Sequence, residues 1–262
     1  MRIPSIAVLL LLVPGWASAH DTWLLPERFR VGKGEGLGFS LSSGMDFPAP
    51  ESAVAADRLL TRSVRLAGQT QSLTPGKAGK ALPLLGAAPA EGIAAVWVAT
   101  RPRTLTLTPE QVDEYLAEIG AADTVGPVWK KSGQKKWTET YAKLAKTFVR
   151  VGEAGDGSWA EPVGLGLELV PEADPTRLRV GDALTLRLLL EGRPLGDFAV
   201  GAAPALPGKP RLLRTDAQGK VSLRLDQAGP WMVRVTRIVP SPGKPAEWDS
   251  AFTTLTVDVL AR

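Results

Sequence analysis

The side chain in this sequence best suited to binding a transition metal occurs once. His20 is the only histidine, and there is no cysteine. It follows Ala17-Ser18-Ala19 directly, in the stretch GWASAHDTWLLPERF. Small residues at −3 and −1 are the mark of a signal-peptide cleavage site, and the preceding residues agree. Arg2 gives a positive start, Ile6 to Val13 is apolar, and Pro14-Gly15 breaks any helix. The apolar run is short of the roughly 20 residues of a transmembrane helix. Cleavage after Ala19 makes residues 1–19 a removed leader, sends the chain to the periplasm or outside, and leaves His20 as the mature terminus. The freed α-amine and the imidazole Nδ1 then close a six-membered ring around a metal ion. With ordinary pKa values of about 8 and about 6.5, both are accessible as neutral donors near neutral pH. Such donors suit Cu(II) and Ni(II). Asp21 offers an oxygen beside them, and Met45 and Asp46 offer a thioether and a second carboxylate.

Other chemistries are closed off. Without cysteine there is no thiolate metal site, no cysteine nucleophile and no disulfide. A Ser-His-Asp triad would have to recruit a terminal histidine, and no G-x-S-x-G is present. The glycine-rich Gly32-Lys33-Gly34-Glu35-Gly36-Leu37-Gly38 has no βαβ unit around it, so it reads as a turn feeding a strand. The net charge of +4 falls to about +3 once Arg2 is removed. The basic residues are dispersed, which argues against a nucleic-acid partner. No second apolar span follows the leader, so no stable membrane insertion is expected.

The rest of the chain must supply a frame. Leu37, Phe39 and Leu41 alternate with small or polar residues, as do Val64 with Leu66 and Leu105 with Leu107. Ile93 to Thr100 is a continuous buried-looking run. These patterns, punctuated by Gly, Pro and Ser, predict short strands. Thr108-Pro109-Glu110-Gln111 is a helix start with a capping box and a proline in the first turn, predicting a helix near 109–119. Trp137, Tyr141, Leu144 and Phe148 at i, i+4, i+7 and i+11 predict a second helix over 134–148, with its lysines in water. Residues 153–162 read as a linker. Beyond it, alternation at Leu184–Leu190, Val221–Leu225, Trp231–Val235 and Leu255–Val259 gives about seven strands in about 100 residues, the density of an immunoglobulin-like sandwich. The expected architecture is mainly β: two β-sandwich domains, 20–152 with a short helical insertion and 163–262.

Several blocks together resemble a known family. The opening HDTWLLPERFRVGKGE, then KTFVRVG, LELVPEADPTRLRVGDALTLRLLLEGRPL, TDAQGKVSLRLDQAGPWMVRV and EWDSAFTTLTVDV are similar to the NikM-like exported proteins of unknown function. That resemblance covers nearly all of the mature chain. It implies a β-rich, two-part periplasmic protein with histidine at its terminus, associated with nickel or cobalt transport. Some members carry a second histidine in a Gly-x-x-Phe-Pro stretch. Here that stretch is Gly44-Met45-Asp46-Phe47-Pro48, so Met45 and Asp46 stand where a partner ligand would. The block around Trp248 and Ser250 matches the family's acidic-aromatic turn, for which packing is the simpler role. The expected function is non-enzymatic handling of nickel, cobalt or copper for a membrane transporter or outer-membrane receptor. A metal-free scaffold is the alternative. A copper oxidase of the histidine-brace type lacks its second histidine.

Overall fold

The computed structural model describes residues 20–205, 211–242 and 247–262; the leader and its cleavage site up to Ala19 lie outside the described residues. The chain is mainly β, as expected, and its strands form three sheets. A long central sheet of ten strands runs from Arg211–Arg214 through Ala199–Pro204, Gly229–Pro240, Glu247–Val259, Trp137–Val151, Gly92–Thr100 and Leu59–Leu66 to Gln69–Ser72, with Arg103–Leu107 and Arg30–Val31 also paired to Trp137–Val151. An N-terminal sheet built on Asp21–Pro26, Gly36–Gly44 and Leu82–Ala87 covers part of one face. A C-terminal sheet built on Leu167–Pro171, Ala183–Leu190 and Lys220–Arg224 covers the other. Among the described residues no helix is long and apolar enough to cross a membrane.

The strand Gly92–Thr100 shows why three layers form. Side chains alternate across a strand, and here both faces are apolar. Ala94, Val96 and Val98 pack with Leu24, Phe39 and Leu84 of the N-terminal sheet. Ile93, Ala95 and Trp97 pack with Leu167, Leu186 and Leu188 of the C-terminal sheet. Each fully buried aliphatic side chain contributes roughly 1.5–3 kcal/mol. The two sandwiches share their middle layer.

That sharing corrects the expected linker. Residues 153–162 do not separate two independent units. Trp137–Val151 runs parallel to Glu247–Val259, from Thr138 opposite Glu247 to Thr147 opposite Thr256. Ser158–Ala160 forms a short 3-10 turn, and Arg65 donates to the carbonyls of Ser158 at 3.0 Å and Glu161 at 2.9 Å.

The first helix is Pro109–Glu118, with the reciprocal Thr108–Gln111 capping box in place. The helix expected over 134–148 is a correction: those residues belong to the 15-residue strand Trp137–Val151. The second helix lies earlier, at Gly126–Ser132, with Pro127 in its first turn and Gly133 left-handed at its end. Thr138, Thr140, Thr147, Val149 and Val151 are β-branched and favour a strand. Central placement decided the outcome, because this strand pairs along both edges. Lys146, expected in water, is 1% exposed.

Candidate functional site

The strand Asp21–Pro26 lies at the edge of the N-terminal sheet, in contact with Trp137–Val151 and Glu247–Val259. Main-chain carbonyls in such a place need donors from side chains. Three arrive in sequence. Lys143 Nζ donates to the His20 carbonyl, Thr254 Oγ1 to Thr22 O at 2.6 Å, and Thr256 Oγ1 to Leu24 O at 2.6 Å. Carbonyls two residues apart point the same way along a strand, so one row of donors from the central sheet holds the start of the mature chain. His20 is a positioned residue.

Asp21, one of the expected ligands, has an ion-pair partner within the fold. Its carboxylate is buried and takes Arg234 Nη1 at 2.6 Å, from the strand Gly229–Pro240. Burial raises its pKa, and the Arg234 guanidinium, with Lys143 and His20, opposes the rise. The Arg234 ion pair engages one of its two oxygens, Oδ2.

Met45 and Asp46 lie just beyond the strand that pairs with the start of the mature chain. The antiparallel ladder pairs Pro26 with Phe39 through to Asp21 with Gly44. The ladder stops there, with His20 and Met45 the residues next to its last pair. Met45 and Asp46 are both exposed. Their backbone N–H groups donate to one oxygen of Glu51, at 2.7 and 3.1 Å, and both bonds go to Oε1. These bonds, with a contribution from His20, hold the Glu51 pKa below the usual carboxylate value. A Cβ on Gly44 would stand 2.6 Å from Glu51 Oε1, so glycine there leaves the carboxylate its place. Glu51 was not foreseen. Nothing in its spacing marks it, and only the strand register brings it to the terminus. Among the described residues, no three His, Cys, Asp or Glu side chains are grouped to hold a metal ion. The donors gathered here are His20, Glu51 and the Met45 thioether, with the amine that cleavage would free.

Lys143 forms the inner wall. Its ammonium lies 3.9 Å from the Phe252 ring centre and 5.7 Å from that of Tyr141. Burial pulls its pKa down to about 8, against the pull of Asp21 and Glu139. Below it on the same face is an aromatic cluster. Trp248 stacks on Trp137 at 4.3 Å between ring centres, 9° from parallel. Glu139 is fully buried there and accepts from Tyr115 OH at 2.9 Å, from Trp137 Nε1 at 2.7 Å and from the Ser250 hydroxyl. Burial raises its pKa against those three donors. Trp248 and Ser250 thus serve this packed cluster, away from the terminus.

A family model described as a domain of unknown function, DUF4198, matches residues 17–238. The chain belongs to that family. The match begins just before His20 and covers both sandwiches of this DUF4198 protein, ending before the strand Glu247–Val259 that completes the central sheet. No curated protein matches it. Solved structures similar to it include the D0-D1 domain of intimin, at 10% identity over 88% of this chain and 96% of that one, with a TM-score of 0.24. Titin domains A168–A170 match at 9% identity over 91% and 62%, with a TM-score of 0.22. Salmonella alpha-2-macroglobulin reacted with methylamine matches at 14% identity over 90% of this DUF4198 chain and 15% of that chain, with a TM-score of 0.24.

Proposed function

We propose that this DUF4198 protein handles a transition metal, nickel, cobalt or copper, at its mature N terminus in the periplasm. It would carry the ion for a membrane transporter or outer-membrane receptor, in keeping with the NikM-like resemblance of its sequence. The observation that supports this reading is the ladder that ends with Asp21 opposite Gly44, just before the stretch in which Met45 and Asp46 donate to the Glu51 carboxylate. The donor set fits the cargo. The amine and imidazole of His20 suit Cu(II) and Ni(II), and a carboxylate and a thioether add a harder and a softer alternative. Asp21 belongs to the support: with Arg234 it holds the terminus in place.

The Lys143 ammonium at the His20 carbonyl opposes a bound cation, which suits a carrier that must release its ion. The reading is non-enzymatic. A copper oxidase of the brace type would need a second histidine, and the chain has one.

The test is a titration of correctly processed protein with Cu(II) and Ni(II), beside a form bearing one extra residue before His20. The processed form should bind each ion at 1:1 and the extended form at least about tenfold more weakly, a difference of 1.4 kcal/mol. Equal binding by the two forms would sink the terminal chelate. A His20→Ala chain that kept its full role in cells would favour the metal-free scaffold instead.

A further inference from the structure

A cavity of about 220 Å³ lies between the end of the helix Pro109–Glu118 and the strands Ala199–Pro204, Arg211–Arg214 and Gly229–Pro240. Glu118, Ile119 and Gly120 line it from the helix, and Gly201, Arg234 and Thr236 line it from the sheet. A Cβ on Gly120 would stand 3.3 Å from the Leu212 side chain and 3.7 Å from Ala199 Cβ. The helix end is seated on the sheet at that point, and the cavity is the space left beside it. Among the residues of the N-terminal site and its supports, only Arg234 lines it.

The two walls carry opposite charge. On the sheet side, Arg234 gives Nη1 to Asp21 at 2.6 Å, and its Nε and Nη2 have no acceptor among the described residues. Neither nitrogen is among the buried atoms left without a partner, so both keep solvent access. Nε lies at the cavity floor: a Cβ on Gly201, itself a lining residue, would come within 2.9 Å of it. Glycine there leaves the guanidinium its place against the sheet. The Nε–Nη2 edge of an arginine is a fork that takes a carboxylate through two parallel bonds. On the helix side, the last turn of Pro109–Glu118 holds no basic residue. The final carbonyls of a helix carry the negative end of its dipole and accept a cation, and the Glu118 carboxylate stands at that end.

We propose that this cavity binds a small zwitterion, an α-amino acid with an aliphatic side chain. Its carboxylate lies on the Nε–Nη2 edge of Arg234, and its ammonium lies at Glu118 and the helix end. Ile119 and Leu212, the latter 68% exposed, offer apolar surface to the side chain. An anion alone would meet Glu118 and a cation alone would meet Arg234, so the two walls together select a molecule that bears both charges. The volume falls below the roughly 300–1,000 Å³ of drug-sized sites and suits a ligand of this size. Binding leaves the bond from Arg234 to Asp21 in place, and the site does not depend on the metal reading.

The experiment follows the backbone amide resonances of Gly120 and Gly201, one on each wall, in the ¹⁵N-labelled mature chain at neutral pH. Three probes are titrated: leucine, 4-methylpentanoate, which is leucine without its ammonium, and 3-methylbutylamine, which is leucine without its carboxylate. Leucine should move both resonances and saturate at millimolar concentration. Each single-charge probe should bind at least about tenfold more weakly, a difference of 1.4 kcal/mol. Ala117→Trp, at an exposed helical position in the lining, should fill the cavity and weaken leucine binding at least about tenfold. Glu118→Gln should weaken leucine several-fold and leave 4-methylpentanoate as it is or bind it tighter. Four results would overturn the proposal: no saturable movement with leucine, equal affinity for leucine and either single-charge probe, unchanged leucine affinity in Ala117→Trp, or the same change for leucine and 4-methylpentanoate in Glu118→Gln.

Discussion

Lys143 and Lys146 stand three residues apart on one strand and point to opposite faces of the central sheet. Lys146 enters the C-terminal sandwich. It is 1% exposed, and its Nζ lies 2.5 Å from Glu168 Oε1. Glu168 is satisfied further by the N–H groups of Val163, Gly164 and Leu165, at 2.8, 3.0 and 3.2 Å. Lys143 faces the N-terminal strand. It meets a carbonyl and two aromatic rings, and the carboxylates of Asp21 and Glu139 act on it from a distance. One lysine is paired with a buried carboxylate and ties the segment after residue 162 to the central sheet. The other is under-compensated and sits where the mature chain begins. The difference separates a structural charge from one placed beside a site.

The sharpest way to break this contrast is Lys146→Met. It leaves Glu168 buried without its cation, and removing one member of such a pair costs about 3–5 kcal/mol. Three N–H groups remain on the carboxylate, so the loss should fall near the lower end. Glu168→Gln on that background should cost less than it does alone, with a coupling of about 1 kcal/mol or more. Urea unfolding of the two single variants and the double variant measures all three quantities. Additive losses would show that the two residues act separately.

The same pair explains what the sequence leaves legible. Strands with apolar alternation, such as Ala183–Leu190, can be read directly, and so can the Thr108 capping box, because each signal is local. Trp137–Val151 is misread as a helix because Trp137, Tyr141, Leu144 and Phe148 fall at helical spacing, and the charged Glu139, Lys143 and Lys146 between them imply a solvent face. Their burial depends on partners far along the chain. Glu168 is 22 residues from Lys146, and Ser250 is 111 from Glu139. The candidate site follows the same rule. His20 is visible from its uniqueness and its place after Ala19. Arg234, 213 residues from Asp21, is not, and its ion pair with Asp21 appears only in the folded chain. Glu51 emerges only from the register of the strands.

Glu139 tests a middle case: a buried carboxylate compensated by neutral donors. Glu139→Gln keeps an acceptor for Tyr115 and Ser250, but turns an amide N–H toward the Trp137 N–H. That clash should cost about 1–3 kcal/mol, less than Lys146→Met. The pH dependence has a definite sign. Burial raises the folded-state pKa of Glu139 above the ordinary glutamate value of 4.5. The folded chain therefore binds this proton more tightly than the unfolded chain. The stability it contributes is complete below about pH 4.5 and is lost as pH rises through the folded-state value. The deficit of Glu139→Gln relative to the unaltered chain should shrink as pH rises from 4 to about 7. A constant deficit across that range, in parallel chemical denaturation series, would place the ionised carboxylate at no disadvantage.

Lys143→Met should have the smallest effect on stability. The substitution gives up the bond to the His20 carbonyl and the contacts with Phe252 and Tyr141. It also removes an amine whose desolvation is only partly offset, and the methionine can keep packing against the rings. Replacing a poorly compensated buried charge by an apolar side chain is often close to neutral, so the net change should stay within about 1 kcal/mol. A loss as large as that of Lys146→Met would erase the contrast between the two lysines. Metal binding should respond where stability does not. Without the ammonium beside it, Cu(II) at the processed terminus loses a source of repulsion, and its affinity should rise several-fold. The rise should disappear in the chain carrying an extra residue before His20, because that chain lacks the α-amine chelate whose occupancy Lys143 opposes.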